Sequence, residues 1–265
     1  MGLFFLSALV LFQNMAAACT LTMGYRTNER LPLIGKHPDA SGLYSDLYRK
    51  AAEKVGCSLE VVRQPKKVVL KMLKDGRIDF YPGFNFTEKR AVYTFYIENG
   101  LPGGDIGVSH ADLAEVTDLS QLQGKTMISA LGAPDFLQGV TGVRLKQLPE
   151  LTTKKALFLL QKKRGDFYIY NRSSIHYLLK TEQFSGLKTH PNCCGGQKPL
   201  YLGFSKNSPH FAGSANPDFD PTQAMTAVNY PVILEKESLA YQFQQALKEM
   251  ALSGWTEQLY AQYYQ

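Results

Sequence analysis

The strongest constraint on the fold is an order of strand-like and helix-like segments that occurs twice along the chain. The stretches "GRIDFYPGF" (residues 76–84) and "RGDFYIYN" (residues 164–171) share the phrase "DFY". Each follows a helical pattern that ends in basic residues and glycine. In the first half, "TLTMGY", "LYSDLYRKAAEKVG", "SLEVVRQ", "KKVVLKMLKDG" and "IDFYPGF" run strand, helix, strand, helix, strand. This order predicts an α/β fold with parallel strands and right-handed crossovers.

The second half repeats the pattern after the glycine-rich stretch near residues 100–104. We predict strands at "TMISA", "VRLKQL" and "DFYIYN", and helices at "TTKKALFLLQKKRG" and "RSSIHYLLKTEQ". A further helix is expected to begin in "LGAPDFLQGV". The apolar residues of each helical segment recur at helical spacing, as with Leu43, Leu47, Ala51 and Val55 before the stop signal Gly56. The two "DFY" stretches therefore become matching third strands of two α/β units, with Asp79 and Asp166 as scaffold residues that cap the turn before each strand.

Composition limits the classes of partner. The formal net charge is +6, but the lysines and arginines are dispersed and accompany no nucleic-acid-binding motif. We therefore expect no nucleic-acid partner. The sequence contains no phosphate loop or metal-binding cluster, so we expect neither a cofactor nor a metal.

The N-terminus has the pattern of an export signal. An apolar run, "LFFLSALVLF", is followed by small residues at positions 16–18. The run is too short to span a bilayer and has the length of a signal-peptide core, although its start carries no Lys or Arg. We predict a signal peptide over residues 1–18 and a periplasmic mature chain.

Four cysteines follow this segment. Cys19 and Cys57 each open a strand-like stretch, and adjacent parallel strands would bring them close enough for a disulfide. Cys19 also stands where a lipoprotein acceptor would, which leaves lipidation as the less favoured alternative. Cys193 and Cys194 are neighbours and could form a bridge or remain free thiols.

Several motifs, taken together in order, resemble a known family. These are "GLYSDLYRKAAEKVG", "LKMLKDGRIDFYPGFNFTEKR", "LQGKTMISALGA", "GDFYIYN" and "ALKEMALSGWTEQLYAQYY". The chain is similar to the periplasmic solute-binding proteins of polar amino-acid ABC transporters (extracellular solute-binding protein family 3). The resemblance implies a two-lobed type II periplasmic binding fold: lobe 1 over residues 19–103 and 198–265, lobe 2 over 104–197, and a two-stranded hinge. It also implies a monomer that holds a small polar solute between the lobes and delivers it to an ABC permease.

The resemblance implies a ligand contact at Arg90, which matches the arginine of the family's T-x-x-R motif. A guanidinium pairs with a planar carboxylate through two hydrogen bonds. Gly83, Phe84 and Asn85 precede it at the expected cleft edge. Arg26 and Arg30 follow the first strand, and with Arg90 they would form a cationic pocket for an anionic or carboxylate-rich solute.

In lobe 2, "LGAPDF" matches a family turn at a helix N-terminus. Gly132 and Ala133 would offer backbone amides to an anion there, although Pro134 has no N–H. Asp135 is either a first-turn helix residue or a ligand contact. Asn171 stands where many family members carry the acid that binds the ligand's ammonium group. A neutral amide cannot supply that charge.

Two other functions remain open at this level. Cyclohexadienyl dehydratases resemble the same family, but the sequence offers few acids for such catalysis and its histidines are dispersed. We therefore expect a binding protein and not an enzyme. A soluble ligand sensor is the other alternative.

Overall fold

The computed structural model describes residues 19–149 and 151–264. The predicted signal peptide over residues 1–18 lies outside the described residues. The strands are β1 (Cys19–Arg26), β2 (Cys57–Gln64), β3 (Phe80–Pro82), β4 (Thr94–Gly103), β5 (Asp105–His110), β6 (Thr126–Ala130), β7 (Arg144–Leu148), β8 (Phe167–Asn171), β9 (Leu187–His190), β10 (Lys198–Ser205), β11 (Gly213–Ala215) and β12 (Val232–Leu234). The helices are α1 (Leu43–Lys54), α2 (Lys66–Lys74), α3 (Glu88–Ala91), α4 (Thr153–Gln161), α5 (Arg172–Thr181), α6 (Leu239–Leu252) and α7 (Trp255–Tyr264).

Two five-stranded sheets organise these elements. The first has the order β2-β1-β3-β10-β4, and the second has the order β7-β6-β8-β5-β9. The strands predicted from the repeated pattern pair in parallel within each sheet, while β4 and β10, and β5 and β9, add antiparallel pairs. The predicted two-unit α/β fold is therefore confirmed, with mixed sheets.

The chain passes between the sheets twice. It leaves the first sheet at the end of β4 and enters the second at the start of β5, across a single residue, Gly104. It returns from β9 to β10 through residues 191–197. The start of β10 pairs with the end of β4, with Lys198 opposite Gly103, so the two crossings lie side by side.

Amphipathic helices cover the first sheet because their apolar residues recur at helical spacing and face the sheet. Leu43, Leu47 and Ala51 of α1 are fully buried, whereas Val55 lies just past the helix at its C-cap. They join one large core that extends from β1 to α7. The second sheet has two smaller cores, one on each side, because α4 and α5 pack with one group and the segment before β6 packs with the other. Within the described ranges, no helix has the length and apolar character needed to cross a membrane.

The two "DFY" strands occupy equivalent places, but their aspartates do not cap turns. The Asp79 carboxylate accepts from the backbone N–H of Thr22 on β1 at 2.7 Å, and the Asp166 carboxylate accepts from that of Thr126 on β6 at 2.7 Å. Each aspartate also donates its own N–H to the carbonyl of the same partner, at 2.9 and 2.8 Å. The prediction that both aspartates cap the preceding turn is therefore wrong. Each carboxylate instead binds the backbone of the first strand and joins it to the third strand.

Both cysteine pairs are bridged. Cys19 lies opposite Cys57 in the parallel register of β1 and β2, with their Cα atoms 4.6 Å apart, so the predicted disulfide is present. The Cys19 sulfur is thereby occupied and is not a lipid acceptor in this structure. Cys193 and Cys194, which the sequence left open, form a bridge between adjacent residues in the return crossing.

Candidate functional site

A cavity of about 1110 Å³ lies between the two sheets. Its walls come from both, and its floor is formed where the chain crosses between them. The volume is slightly above the usual range for small-molecule pockets, about 300–1,000 Å³. From the first lobe the lining residues are Arg30, Gly83, Asn85, Phe86, Lys198, Pro199, Leu200 and Tyr201. From the second they are Gly104, Asp105, Ser129, Ala130, Leu131, Gly132, Ala133, Pro134, Phe136, Leu151, Thr152, Thr153, Tyr168, Ile169, Tyr170 and Asn171.

Six of the ten residues predicted for the site line this cavity. They are Arg30, Gly83, Asn85, Gly132, Ala133 and Asn171. The other four do not: Arg26, Phe84, Arg90 and Asp135.

Phe84 lies in the core. Its side chain is 3% exposed and packs near the rings of Tyr81 and Tyr96, because the N–H of Phe84 bonds to the carbonyl of Tyr201 and turns the side chain inward. Phe86, two residues further on, lines the cavity instead.

Arg90 lies on the short helix α3, next to the rim. Its guanidinium carbon is 4.4 Å from the centre of the Phe84 ring, and its Nη1 donates to the carbonyl of Asn85 at 3.0 Å. The hydroxyl of Thr87 caps the helix by accepting from the Arg90 N–H. Arg90 is half-buried, with its charge placed over an aromatic face.

Arg26 ends β1, and its guanidinium packs near the Tyr25 ring. Its Nε is buried without a hydrogen-bond partner among the described residues. Its carbonyl accepts from the side chain of Arg63, which binds three further carbonyls of the loop that follows β1. Arg26 thus belongs to the support of that loop.

The segment "LGAPDFLQGV" is not the start of a helix, and this prediction is wrong. Residues 131–132 and 136–139 form turns, joined by an irregular stretch at residues 133–135. Gly132 and Gly139 have φ values of 79°, in the left-handed region, and Pro134 removes a helical donor. The Asp135 carboxylate accepts from the N–H of Leu137, two residues on, which stabilises a local turn. The expected anion site at a helix N-terminus is therefore absent here, although Gly132 and Ala133 still line the cavity.

Asn171 lines the cavity and also begins α5. Its Oδ1 accepts from the backbone N–H and the hydroxyl of Ser174, at 3.3 and 3.4 Å. The oxygen is therefore engaged as a helix cap.

Two charged residues of the cavity were missed by the sequence reasoning. Asp105 opens β5 directly opposite Asn171 on β8, and Lys198 opens β10. They lie in the stretches "NGLPGGD" and "GGQKPLY", where the chain crosses between the sheets. The signal was present, because a charged residue at the end of each crossing must lie close to the cleft floor.

The pKa of Asp105 depends on its burial and on two nearby cations. Partial burial raises the pKa of Asp105, and the cations Lys198 and Arg30 offset part of that increase. Burial also raises the pKa of Tyr168, another wall residue, to about 12, so its phenol stays neutral at physiological pH.

Arg30 is held by the loop after β1. Its backbone pairs with Ile34 through two hydrogen bonds, at 2.9 and 3.1 Å. Beside it, Gly83 has φ 62°, and a Cβ there would lie 2.5 Å from the hydroxyl oxygen of Tyr44. Tyr44 is fully buried, and its hydroxyl has no partner within residues 19–149 and 151–264. A side chain at position 83 would therefore be strained and would require Tyr44 to shift.

Proteins of known structure share this fold. No curated protein matches the chain. Two solved structures illustrate the likeness. The L-cystine solute receptor of Neisseria gonorrhoeae, in its unliganded open conformation, superposes with a TM-score of 0.69 at 17% identity, over 94% of each chain. Substrate-binding domain 2 of Lactococcus lactis GlnP, also open, superposes with a TM-score of 0.67 at 16% identity, over 94% of this chain and 96% of that domain.

At such low identity the likeness to these structures establishes the fold. The family is established by the sequence itself, which matches the bacterial extracellular solute-binding proteins, family 3, over residues 21–265. That match includes both sheets and every wall of the cavity. The chain therefore belongs to the family 3 bacterial extracellular solute-binding proteins.

Proposed function

We propose that this protein captures a small amino acid or related carboxylate in the cavity between its lobes and delivers it to an ABC permease. The observation that carries this proposal is a single cavity with walls from both lobes and charged groups of both signs, Arg30, Asp105 and Lys198. A zwitterionic solute is matched by such a site, since each of its charges finds an opposite charge in a partly dehydrated setting.

Capture involves closure of lobe 2 (residues 104–197) onto lobe 1 (residues 19–103 and 198–265). The two short crossings support this motion as a hinge. Gly104 has φ 93° and Gly195 and Gly196 have φ 89° and 67°, so each crossing contains residues whose backbone tolerates large changes. The volume of the cavity supports an open starting state.

The predicted binding residues are assigned roles on this basis. Arg30 and Asn85 hold the ligand from lobe 1, and Asp105 and Asn171 hold it from lobe 2. Arg90 moves from its place over Phe84 to join Arg30 at the same ligand carboxylate when the cleft closes. Backbone groups of the Gly132 and Ala133 turn complete the lobe 2 wall, while Arg26, Phe84 and Asp135 support the loops around it.

The remaining expectations extend the proposal. The chain acts in the periplasm after export, as a monomer that meets its permease transiently. It binds its solute without converting it. The family membership supports these assignments at the level of small-solute binding for transport.

Mass spectrometry of the mature protein, residues 19–265, tests the proposal. Native spectra should show a co-purified small molecule that is released chemically unchanged. After its removal, titration calorimetry should show binding of an amino acid or carboxylate, and small-angle scattering should show a smaller radius of gyration with ligand. The Arg30→Gln variant should bind more weakly, whereas Arg144→Gln, on the exposed edge strand β7, should not. Conversion of the solute, or equal binding by both variants, would contradict the proposal.

A further inference from the structure

We infer that the ligand is an acidic amino acid, with its ammonium group paired to Asp105 and its two carboxylates taken by Arg30 and Lys198. This inference rests on the proposed function and adds the charge class of the solute and the residues that select it.

The charges of the cavity favour a ligand with a net charge of −1. Among the described lining residues, the formally charged ones are Arg30, Lys198 and Asp105. An acidic amino acid carries two negative charges and one positive charge and pairs with all three. A neutral amino acid leaves one cation unpaired, and a basic amino acid places two positive charges against two cations. A dicarboxylate without an ammonium group leaves Asp105 unpaired.

Asp105 is the acid that an ammonium group requires at this end of the cavity. Asn171 lies opposite it, but the Asn171 oxygen already caps α5. Asp105 is half-buried and forms no ion pair with Lys198 or Arg30 within the described part of the chain. The charges of these two cations act on its pKa from a longer distance. A partly buried carboxylate without a direct partner is stabilised by a cation that enters the site.

Lys198 supplies the second anion contact. It opens β10 beside the crossing, and its Nζ lies near Gly195, where an added Cβ would be 3.3 Å away. Its side chain is exposed at the cavity wall, so the ammonium group is free to meet a ligand carboxylate. Arg30 approaches from the loop after β1, in the same lobe as Lys198 and beside Gly83. The two cations therefore approach a ligand from separate elements, as two separate carboxylates require.

The wall of lobe 2 adds a favourable field. The hydroxyl of Thr152 caps α4 by accepting from the Lys155 N–H at 3.2 Å, and Thr152 and Thr153 line the cavity. Asn171 caps α5 in the same way. Both helices thus begin at the cavity with the positive end of their dipoles, which favours a negatively charged ligand.

Calorimetric titration of ligand-free protein with matched solutes tests the inference. Glutamine lacks the side-chain carboxylate of glutamate, and glutarate lacks its ammonium group, so each differs from glutamate by one charged group. Aspartate tests a shorter side chain, and arginine tests a side chain of the opposite charge. We expect glutamate or aspartate to bind at least about tenfold more tightly than glutamine, glutarate or arginine, the effect of losing one charged hydrogen-bond partner.

Two variants assign the selecting residues. Lys198→Gln should lower the ratio of glutamate to glutamine affinity about tenfold, whereas the matched surface variant Lys146→Gln on β7 should preserve that ratio. Asp105→Asn should weaken glutamate more than glutarate, because glutarate has no ammonium group. Preferential binding of glutamine or arginine, or an unchanged ratio in Lys198→Gln, would overturn the inference and leave solute capture intact. Failure of every amino acid and carboxylate to bind would overturn the proposed function as well.

Discussion

Asp105 lies directly opposite Asn171 in the antiparallel pairing of β5 and β8. Asn171 stands where members of the family are expected to carry an acid for the ligand's ammonium group. The pairing places a carboxylate one strand away, at the same end of the second sheet and in the same cavity. The cavity therefore contains a carboxylate on the strand next to Asn171.

Replacement of Gly83 by alanine should lower both stability and ligand affinity. The new Cβ would lie 2.5 Å from the Tyr44 hydroxyl, at a φ of 62°. We expect a loss of about 1–3 kcal/mol in the free energy of unfolding, measured by chemical denaturation. Gly132→Ala is the matched control, since its φ of 79° is similarly strained but nothing lies within 4 Å of the added Cβ. The double variant Gly83→Ala, Tyr44→Phe should recover part of the loss; equal losses at positions 83 and 132 would exclude the clash.

Replacement of Arg90 by alanine should weaken ligand binding about tenfold or more, since a guanidinium–carboxylate pair is a strong charged contact. Its effect on stability should be small, because the residue is half-buried on a four-residue helix. Calorimetric affinity measures the first effect and thermal unfolding the second. The adjacent exposed variant Lys89→Ala should bind normally. If Arg90→Ala also binds normally, Arg90 has only the packing role that its contact with Phe84 gives it.

Loss of the Cys19–Cys57 disulfide should destabilise the protein by about 4 kcal/mol, because the bridge closes a loop with a sequence separation of 38. Denaturant unfolding of Cys19→Ser and Cys57→Ser measures the effect. The double variant should resemble each single variant, since all three lose the same bond. Losses that add up would show that the bond does not form.

Acidification should destabilise lobe 2 through His190. This ring is fully buried; Val116 N–H donates to its Nδ1 at 3.0 Å, and its Nε2 pairs with Ser109 Oγ at 2.8 Å. Burial, followed by the nearby charge of Lys188, lowers the pKa of His190, while Glu115 acts in the opposite direction. Below about pH 6.5 the histidine of the unfolded chain therefore binds a proton, whereas the buried ring of the native state stays neutral. Stability from His190 is present above about pH 6.5 and is lost as the pH falls toward its lowered value.

Denaturant unfolding between pH 5 and 8 measures this dependence. The pKa of His176 is also lowered, by burial and by Arg172, so His176→Gln is the necessary comparison. Removing the ring in His190→Gln should flatten the pH dependence more than His176→Gln does, because His190 is fully buried and accepts a backbone hydrogen bond. An unchanged slope in His190→Gln would assign the acid response to other groups.

Sequence patterns by themselves determined the two α/β units, the helices that flank their strands apart from the one expected in "LGAPDFLQGV", and the Cys19–Cys57 pairing. These features depend on local periodicity and on the register of adjacent strands, both of which are written in consecutive residues. The resemblance of ordered motifs likewise located Arg30, Gly83, Asn85 and Asn171 near one site.

Only the tertiary structure decided which side chains share the cavity. Phe84 and Phe86 lie two residues apart, but Phe84 is buried in the core beside Tyr81 and Tyr96, whereas Phe86 is partly exposed and also lines the cavity. The turns of residues 131–140 replace a predicted helix because positive-φ glycines and a proline outweigh a short apolar pattern. Asp105 and Lys198 lie 93 positions apart in the sequence, and only the pairing of β4 with β10 and of β5 with β8 brings them to one cavity. Such contacts depend on long-range strand pairing, which no local pattern records.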